Sequence, residues 1–188
     1  SRWGGEEATE HKRMYAAKRL QYYLQKNISE NHHVIIMGDF NDEPYSNSTK
    51  SFSLLEGVTD YDKTYFKKIG FSTDDIEDDD FSKTRLLVNL MAQIQQKYKR
   101  GTLGSYAYRG EWKFLDQIII NPNLYYGRKT KLVLKQYDAY RPEFLLDVNS
   151  EGESYPRRTF GGDNWYGGFS DHLPVYCIFD VLNCIHDE

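Results

Sequence analysis

The chain is poor in the residues on which several classes of small protein depend. It has only two cysteines, Cys177 and Cys184, which are too few for a disulfide-stapled fold. Neither has a Cys-x-x-Cys spacing or a histidine at zinc-ligand spacing, so the pattern disfavours a structural zinc site. No uninterrupted apolar run approaches the ~20 residues that a membrane-spanning helix needs. The shortages therefore disfavour a disulfide scaffold, a zinc module and a transmembrane protein.

Positive charge is also scarce. The 24 lysines and arginines are outnumbered by 28 aspartates and glutamates, which gives a net charge of −4. Non-specific binders of duplex nucleic acid usually carry a basic patch, whereas the basic residues here are scattered along the chain. The charge balance therefore favours small or non-polymeric substrates over long duplex DNA.

What remains is the composition of a soluble globular protein. Hydrophobic residues make up 39% and charged residues 28% of the 188 positions, and this length suits one domain. The chain begins at Ser1-Arg2-Trp3 without an initiator methionine, which indicates that an upstream segment was removed or not included. No segment has the pattern of a signal peptide, and the sequence assigns no localisation.

Hydrophobic periodicity predicts both helices and strands. Residues 6–28 carry apolar side chains at three- and four-residue steps, which predicts an amphipathic helix. The run Val34-Ile35-Ile36-Met37 predicts a strand buried on both faces. The acidic stretch 73–80 predicts a surface loop, because it lacks the ligand spacing and central glycine of a calcium loop. Further helices are predicted over residues 51–55 and 86–98, and further strands over residues 101–109, 113–120, 131–137 and 174–181.

The first candidate for chemistry follows the predicted buried strand. In Gly38-Asp39-Phe40-Asn41, the glycine lets the backbone turn and lets a ligand approach where the strand reaches the surface. Asp39 can take a proton from water or hold a metal-bound water, and Asn41 can donate to a phosphate oxygen. The alternative is a polar turn at a strand end, where aspartate and asparagine are common.

A second candidate lies before the last predicted strand. Adjacent side chains of an extended segment point to opposite sides, so Asp171 and His172 can reach different targets. Asp171 can bind a metal or its water, and His172 can act on the reacting phosphate or water. A loop with a solvated histidine is the alternative.

The third candidate is Asp116, which lies within an apolar strand pattern. A carboxylate there is costly unless it is paired. His172 is the partner we expect, because a carboxylate fixes the tautomer of a histidine and raises its basicity. An aspartate at a strand edge that faces water is the alternative.

Together these elements resemble the endonuclease/exonuclease/phosphatase superfamily, which has the deoxyribonuclease I-like fold. The Gly-Asp-Phe-Asn, Asp-in-strand and Ser-Asp-His elements of that family occur here in the same order. Segments 1–7, 101–117 and 167–172 are also similar to the C-terminal two-thirds of bacterial, particularly Bacteroides-type, members. The resemblance implies an α+β fold, a four-layer αββα sandwich with its N-terminal part missing. Residues 1–188 would then be the C-terminal portion of a single domain.

The resemblance also implies a metal-dependent phosphoesterase in which water attacks a phosphodiester or phosphomonoester. Asp39 would orient or deprotonate the water, and Asn41 would hold the scissile phosphate. Asp116 would orient His172, which would stabilise the transition state or act as base. Asp171 would bind the metal, for which Mg²⁺ or Mn²⁺ is expected as a hard, oxygen-liganded ion. The implied partners are a small phosphorylated substrate, a phospholipid head group or a nucleic-acid end.

The chain departs from the family pattern at its start. The family's metal-binding Asn and Glu and a further His precede the matching segment, and His11 is not placed to replace that His. We therefore expect a truncated product of an active enzyme, which binds metal poorly or is inactive unless the missing part is supplied.

Two rival functions remain open. The first is a noncatalytic module that binds carbohydrate or another ligand through aromatic loops, and the second is an inactive family member. The chain has 16 tyrosines and 3 tryptophans. Several of these could stack on a sugar or base, or could pack in strands and core instead; they are Tyr106, Tyr108, Trp112, Trp165 and Tyr166.

Overall fold

The computed structural model describes residues 5–29, 32–50, 87–99, 101–127 and 130–182. In these ranges the helices are α1 (Glu6–Asn27), α2 (Asn47–Lys50), α3 (Leu90–Lys97), α4 (Pro122–Tyr126) and a 3-10 helix (Glu143–Leu145). The strands are β1 (Ile35–Asp39), β2 (Val88–Asn89), β3 (Tyr106–Tyr108), β4 (Glu111–Lys113), β5 (Asp116–Ile120), β6 (Leu132–Ala139), β7 (Leu146–Val148), β8 (Ser154–Pro156), β9 (Phe160–Gly161), β10 (Asn164–Trp165) and β11 (Val175–Val181). The helix predicted over residues 51–55 and the loop predicted over 73–80 lie outside the described residues.

An antiparallel sheet in the order β1-β5-β2 forms the centre of the described structure. β1 and β5 pair along their whole length, from Ile35 opposite Ile120 to Asp39 opposite Asp116. The strands run in opposite directions, so the last residue of β1 lies beside the first residue of β5. This register brings two carboxylates together at one end of the sheet.

Helix α1 covers one face of this sheet. Its Ala17 and Leu20 pack with Ile36 of β1 and Ile119 of β5, which is fully buried. The apolar side chains recur at helical spacing, so they form one stripe that the sheet covers. The amphipathic helix predicted over residues 6–28 is therefore confirmed.

A second, two-stranded sheet of β6 and β11 packs on the opposite face. Ile118 and Ile120 of β5 point to this side and share a core with Leu134, Val175 and Phe179. The described elements thus form a helix layer, the central sheet and the second sheet. The predicted mixed α+β class is confirmed, and the fourth layer of the αββα sandwich stays a prediction.

The prediction that β1 is buried on both faces is wrong for the described residues. Ile35 is 46% exposed and Met37 is 58% exposed, whereas Ile36 between them packs under α1. Alternate side chains of a strand point to opposite faces. Ile35 and Met37 face the side of the second sheet, but β1 is an edge strand and the described residues of that sheet leave them open.

Two other predicted elements are shorter than their sequence patterns. The strand predicted over 113–120 is divided at Phe114 and Leu115 into β4 and β5. The helix predicted over 86–98 begins only at Leu90, because Asn89 caps it with a side-chain oxygen that accepts from the Met91 and Ala92 amides. No helix among the described residues is long and apolar enough to cross a membrane.

Candidate active site

The candidate site lies where β1 ends and β5 begins. Asp39 and Asp116 are directly opposite each other in the antiparallel register. The pairing continues for one more residue, because the Phe40 amide donates to the Leu115 carbonyl at 2.9 Å. Like charges on opposite strand positions destabilise a sheet, so this arrangement favours a neighbouring positive group.

His172 lies beside these carboxylates. Its Nδ1 is 2.7 Å from Asp116 Oδ2, and the two side chains are 24% and 15% exposed. A carboxylate accepts, so Nδ1 carries the donated proton and Nε2 is the ring atom left to act on a reactant. The structure therefore brings Asp116 and His172 together as the sequence predicted, while their roles stay predictions.

The carboxylates make this imidazole more basic. The hydrogen bond to Asp116 raises the pKa of His172 above its ordinary value, and the charges of Asp116, Asp39 and Asp171 act in the same direction. Partial burial opposes them by disfavouring the charged form. The result is a histidine that holds a proton more strongly than a solvated one.

Ser105 is a site residue that sequence reasoning missed. It is fully buried, and its Oγ donates to Asp116 Oδ2 at 2.6 Å, the same oxygen that contacts His172. Its carbonyl also accepts from the Leu173 amide at 2.7 Å. Ser105 therefore connects both members of the Asp116–His172 pair. Nothing in the local pattern around a single serine distinguishes it from a turn residue.

Tyr106 packs against the imidazole. Its ring centroid is 4.9 Å from that of His172, with the planes tilted by 41°. The two residues also form an isolated antiparallel bridge, so backbone pairing fixes the distance between their side chains. The sequence placed Tyr106 among the residues that could stack on a sugar or base. In the structure its neighbour is His172, the candidate catalytic histidine.

Asn41 holds Asp39 in place. Its backbone amide donates to Asp39 Oδ1 at 2.7 Å, and its side-chain Nδ2 donates to Asp39 Oδ2 at 2.9 Å. Asn41 has φ 53°, a left-handed conformation that asparagine adopts more readily than most residues. This tight turn places the side-chain amide of Asn41 beside the Asp39 carboxylate. The predicted contact between Asn41 and phosphate would be made from this position.

A divalent metal fits this donor set. Asp39, Asp116 and His172 each offer a ligand atom, and these atoms lie within 4.8 Å of one another. Carboxylate oxygens are the ligands that Mg²⁺ prefers, and Mn²⁺ also accepts imidazole nitrogen. Asp171, the predicted metal ligand, is exposed and lies outside this triad, although its charge acts on His172.

A buried ion pair supports the turn that carries Asn41. Arg13 of α1 and Asp42 are 7% and 1% exposed, and Arg13 Nε donates to Asp42 Oδ2 at 2.5 Å. Ser48 Oγ donates to the same oxygen. Arg13 also donates to Thr9 Oγ1 at 2.6 Å. The pair anchors the loop after β1 to the helix that covers the sheet, and sequence reasoning did not identify it.

Substituting Asp116 with asparagine should lower the pKa of His172, because it removes the carboxylate that raises it. A raised folded pKa stabilises the fold fully below the unfolded pKa of about 6.5, and this stability is lost as pH rises through the folded pKa. The loss of unfolding free energy should therefore be larger at pH 5 than at pH 9 in urea titrations. Asp163→Asn, at an exposed position, is the control. Equal losses at both pH values would contradict this explanation.

Comparison with known proteins gives one match. A sequence model described as the Endonuclease/Exonuclease/phosphatase family matches residues 1–180. No curated protein matches the chain. No solved structure matches it either. The matched range contains all five residues that the sequence proposed for the site.

Proposed function

We propose that this chain, which belongs to the Endonuclease/Exonuclease/phosphatase family, is a metal-dependent phosphoesterase that hydrolyses a phosphodiester or phosphomonoester by attack of water. The observation that carries the proposal is the convergence of Asp39, Asp116 and His172, whose ligand atoms lie within 4.8 Å of one another. Two carboxylates and an imidazole at one point can hold a cation, orient water and move a proton.

Asp39 and His172 act on the reacting groups in this proposal. Asp39 orients the attacking water, because Asn41 donates to both oxygens of Asp39 and fixes their direction. The Asp39 carboxylate can also accept the proton of the water. His172 presents Nε2 to the phosphate, because Nδ1 is engaged by Asp116. With its pKa raised, the protonated imidazole can donate to a phosphate oxygen as negative charge develops there.

Asp116 is a positioning residue in this scheme, since it reaches the reactants through His172. Asn41 contacts the scissile phosphate from the turn after β1. Asp171, together with Asp39 of the triad, would hold Mg²⁺ or Mn²⁺, and such an ion would polarise a phosphoryl oxygen and neutralise charge. Ser105 and Tyr106 support the pair through Asp116 and His172 respectively.

The substrate proposed here is a phosphorylated small molecule, a phospholipid head group or a nucleic-acid end. The net charge of −4 favours these over a long polyanion, because a polyanion gains affinity mainly from basic side chains that neutralise its phosphates.

We also propose that residues 1–188 are the C-terminal portion of one family domain, with further metal ligands upstream. The support from the structure is β1, which lies at the edge of the sheet formed by the described residues and whose Ile35 and Met37 stay 46% and 58% exposed on an otherwise buried face. Burying such side chains stabilises a fold by about 1.5–3 kcal/mol each. Turnover experiments should therefore use the full natural chain, with the 188-residue chain alongside. Equal activity of both would contradict this proposal.

Removing divalent metal should abolish the activity. Hydrolysis of bis(p-nitrophenyl) phosphate and of p-nitrophenyl phosphate by the full chain should fall to the uncatalysed rate in excess EDTA, because Asp39 and Asp116 would then repel both each other and the phosphate. Adding Mg²⁺ or Mn²⁺ in excess of the chelator should restore it. The two substrates separate diesterase from monoesterase activity. Activity that persists after chelation would refute the metal-dependent mechanism.

A further inference from the structure

A hairpin directly precedes Asp171 and His172 in the chain. The proposed reaction gives it no role. Residues 157–170, here called the aromatic hairpin, run out through β9 and back through β10. Its stem is held by backbone bonds from Tyr166 to Thr159 at 2.8 Å and from Phe169 to Arg157 at 2.7 Å. The segment after the returning strand reaches Ser170, so the hairpin leads directly into Asp171 and His172.

Large aromatic side chains of this hairpin face solvent. Phe160 and Trp165 are 58% and 71% exposed, and they are paired directly across the two strands. Side chains at paired positions lie on the same face of a hairpin, about 5 Å apart at Cβ. Tyr166 is 57% exposed and follows them in the chain. Apolar rings held in water at adjacent positions are unfavourable unless a ligand or partner covers them.

Glycines allow these rings to lie close to the backbone. A Cβ at Gly161 would collide with the Tyr166 ring, so that ring lies directly over the glycine. A Cβ at Gly168 would collide with the carbonyls of Arg157 and Arg158, so the two strands of the stem also approach closely. The hairpin therefore holds its rings by backbone contact instead of through a core.

A second aromatic pair lies at the base of the hairpin. Phe144 of the 3-10 helix and Phe169 meet edge to face, with ring centroids 6.1 Å apart and planes at 84°. They are 56% and 63% exposed. The Arg157 amide donates to the Leu145 carbonyl at 2.7 Å and so ties the stem to this helix. Exposed rings thus occur both near His172 and farther out along the hairpin.

We propose that the aromatic hairpin binds the ring-bearing part of the ester substrate that is not released, such as a sugar or nucleobase. This inference rests on the proposed phosphoesterase function and names the substrate class of that site. Phe169 is three residues from His172 and Trp165 is seven, so their backbones lie within ~10 Å and ~24 Å of it. A ring close to the phosphate would contact Phe144 and Phe169, and a more distant ring would contact Phe160 and Trp165.

The polar residues of the hairpin favour a ring-bearing ligand over a membrane as the binding partner of its aromatic side chains. Gly162 and Asp163 form the turn and Asn164 follows at the start of β10; all three are exposed, where a membrane-inserting hairpin would place its apolar tip. Stacking needs only a ring face, and nearby amide and carboxylate groups can accept or donate to sugar hydroxyls.

Two diesters with the same leaving group test this inference. Thymidine 5′-(p-nitrophenyl) phosphate carries a ring-bearing retained group, and methyl p-nitrophenyl phosphate does not. Trp165→Ala should lower the ratio of their kcat/KM values about tenfold, mainly through KM, because one stacked ring is lost. Trp165→Phe, which keeps a ring, should restore most of the ratio. Tyr23→Ala, at a 57% exposed position on α1, should leave it unchanged.

The outcomes separate this inference from the proposed function. If the full chain hydrolyses neither these diesters nor p-nitrophenyl phosphate with Mg²⁺, the phosphoesterase proposal fails and this inference fails with it. If it hydrolyses only the monoester, the proposed function stands and the ring-binding inference is overturned. If both esters are hydrolysed and neither Trp165→Ala nor Phe169→Ala changes the ratio, only the ring-binding inference is overturned. A p-nitrophenyl diester of a hexose 6-phosphate distinguishes the sources: an effect on both ring esters assigns a sugar face, and an effect on thymidine alone assigns the base.

A membrane role has its own readout. If the wild-type chain sediments with phosphatidylcholine vesicles, and Trp165→Ala abolishes this without changing the ester ratio, the hairpin is a membrane contact and the inference is wrong. The ring-binding account predicts no vesicle binding that depends on Trp165.

Discussion

Substituting His172 with alanine should lower kcat/KM for a phosphodiester by about 10²–10⁴-fold, the usual contribution of a positioned acid or base. The imidazole is held by Asp116 at 2.7 Å and packed against Tyr106, so Nε2 has a fixed direction toward the reactants. Alanine removes the proton donor and leaves Asp116 without its positive partner. We expect the loss mainly in kcat, because His172 acts on the transition state more than on the bound substrate.

The control for this experiment is His33→Ala. His33 is exposed and lies before β1, away from the carboxylates, so its removal should leave kcat/KM within a factor of about two. Circular dichroism and urea unfolding of both variants show whether the fold is retained. A folded His172→Ala variant with wild-type turnover would remove the imidazole from the mechanism and would favour a noncatalytic role for the chain.

Substituting Arg13 with alanine should lower the free energy of unfolding by about 3–5 kcal/mol, the usual cost of breaking a buried ion pair. Arg13 and Asp42 are both under a tenth exposed, so the variant buries a carboxylate that has lost its positive partner and keeps the hydrogen bond from Ser48. Arg13 also donates to Thr9 and to the Glu6 carbonyl, which ties its guanidinium into the first turns of α1. Urea or thermal unfolding measures the loss.

The matched control is Arg19→Ala, on the same helix. Arg19 is exposed, and its contact is with the face of the Tyr22 ring at 5.8 Å, so we expect a change of about 0.5 kcal/mol or less. The double variant Arg13→Met/Asp42→Leu should be more stable than Arg13→Ala alone, because no charge is then left buried. Equal losses for Arg13→Ala and Arg19→Ala would show that the pair does not stabilise the fold.

The sequence predicted that both carboxylates belong to strand segments, because apolar runs mark strands locally, but it placed Asp116 within a strand over 113–120 and not at the first residue of β5. The apolar run before Asp39 and the apolar pattern around Asp116 each predicted a strand, and both strands exist. Antiparallel pairing then makes the two aspartates neighbours. The chemistry of carboxylate–histidine pairs supplied the third member, since the imidazole of His172 is 56 positions from Asp116 and no local pattern predicts that contact.

Residues that support the site were not predictable in the same way. Ser105 contacts Asp116 from 11 positions away, and Arg13 contacts Asp42 from 29 positions away. Arginine on a helix is ordinarily solvated, so only the tertiary packing of α1 on the sheet shows that this one is buried. The exposure of Ile35 and Met37 had no sequence signal either, because burial depends on which strands lie opposite.

The burial of the aromatic residues was not predictable from the sequence either. Trp112 is 7% exposed and packs with Ala107 and Leu173, as a core residue. Trp165 is 71% exposed on the aromatic hairpin. Both are tryptophans in strand-like segments, and composition gives no reason to treat them differently. Their difference comes from the cluster that Trp112 forms with Ala107 and Leu173, whereas Trp165 belongs to no core cluster of the described residues.

The most direct test of the central claim is the initial rate at which the full chain hydrolyses bis(p-nitrophenyl) phosphate and p-nitrophenyl phosphate, with the faster substrate used for the comparison. It should be measured side by side with Mg²⁺, with excess EDTA, and for His172→Ala with Mg²⁺. A metal-dependent phosphoesterase centred on Asp39, Asp116 and His172 predicts turnover in the first case and a rate about 10²–10⁴-fold lower for the variant, with the chelated enzyme at background. The same rate in all three would contradict it.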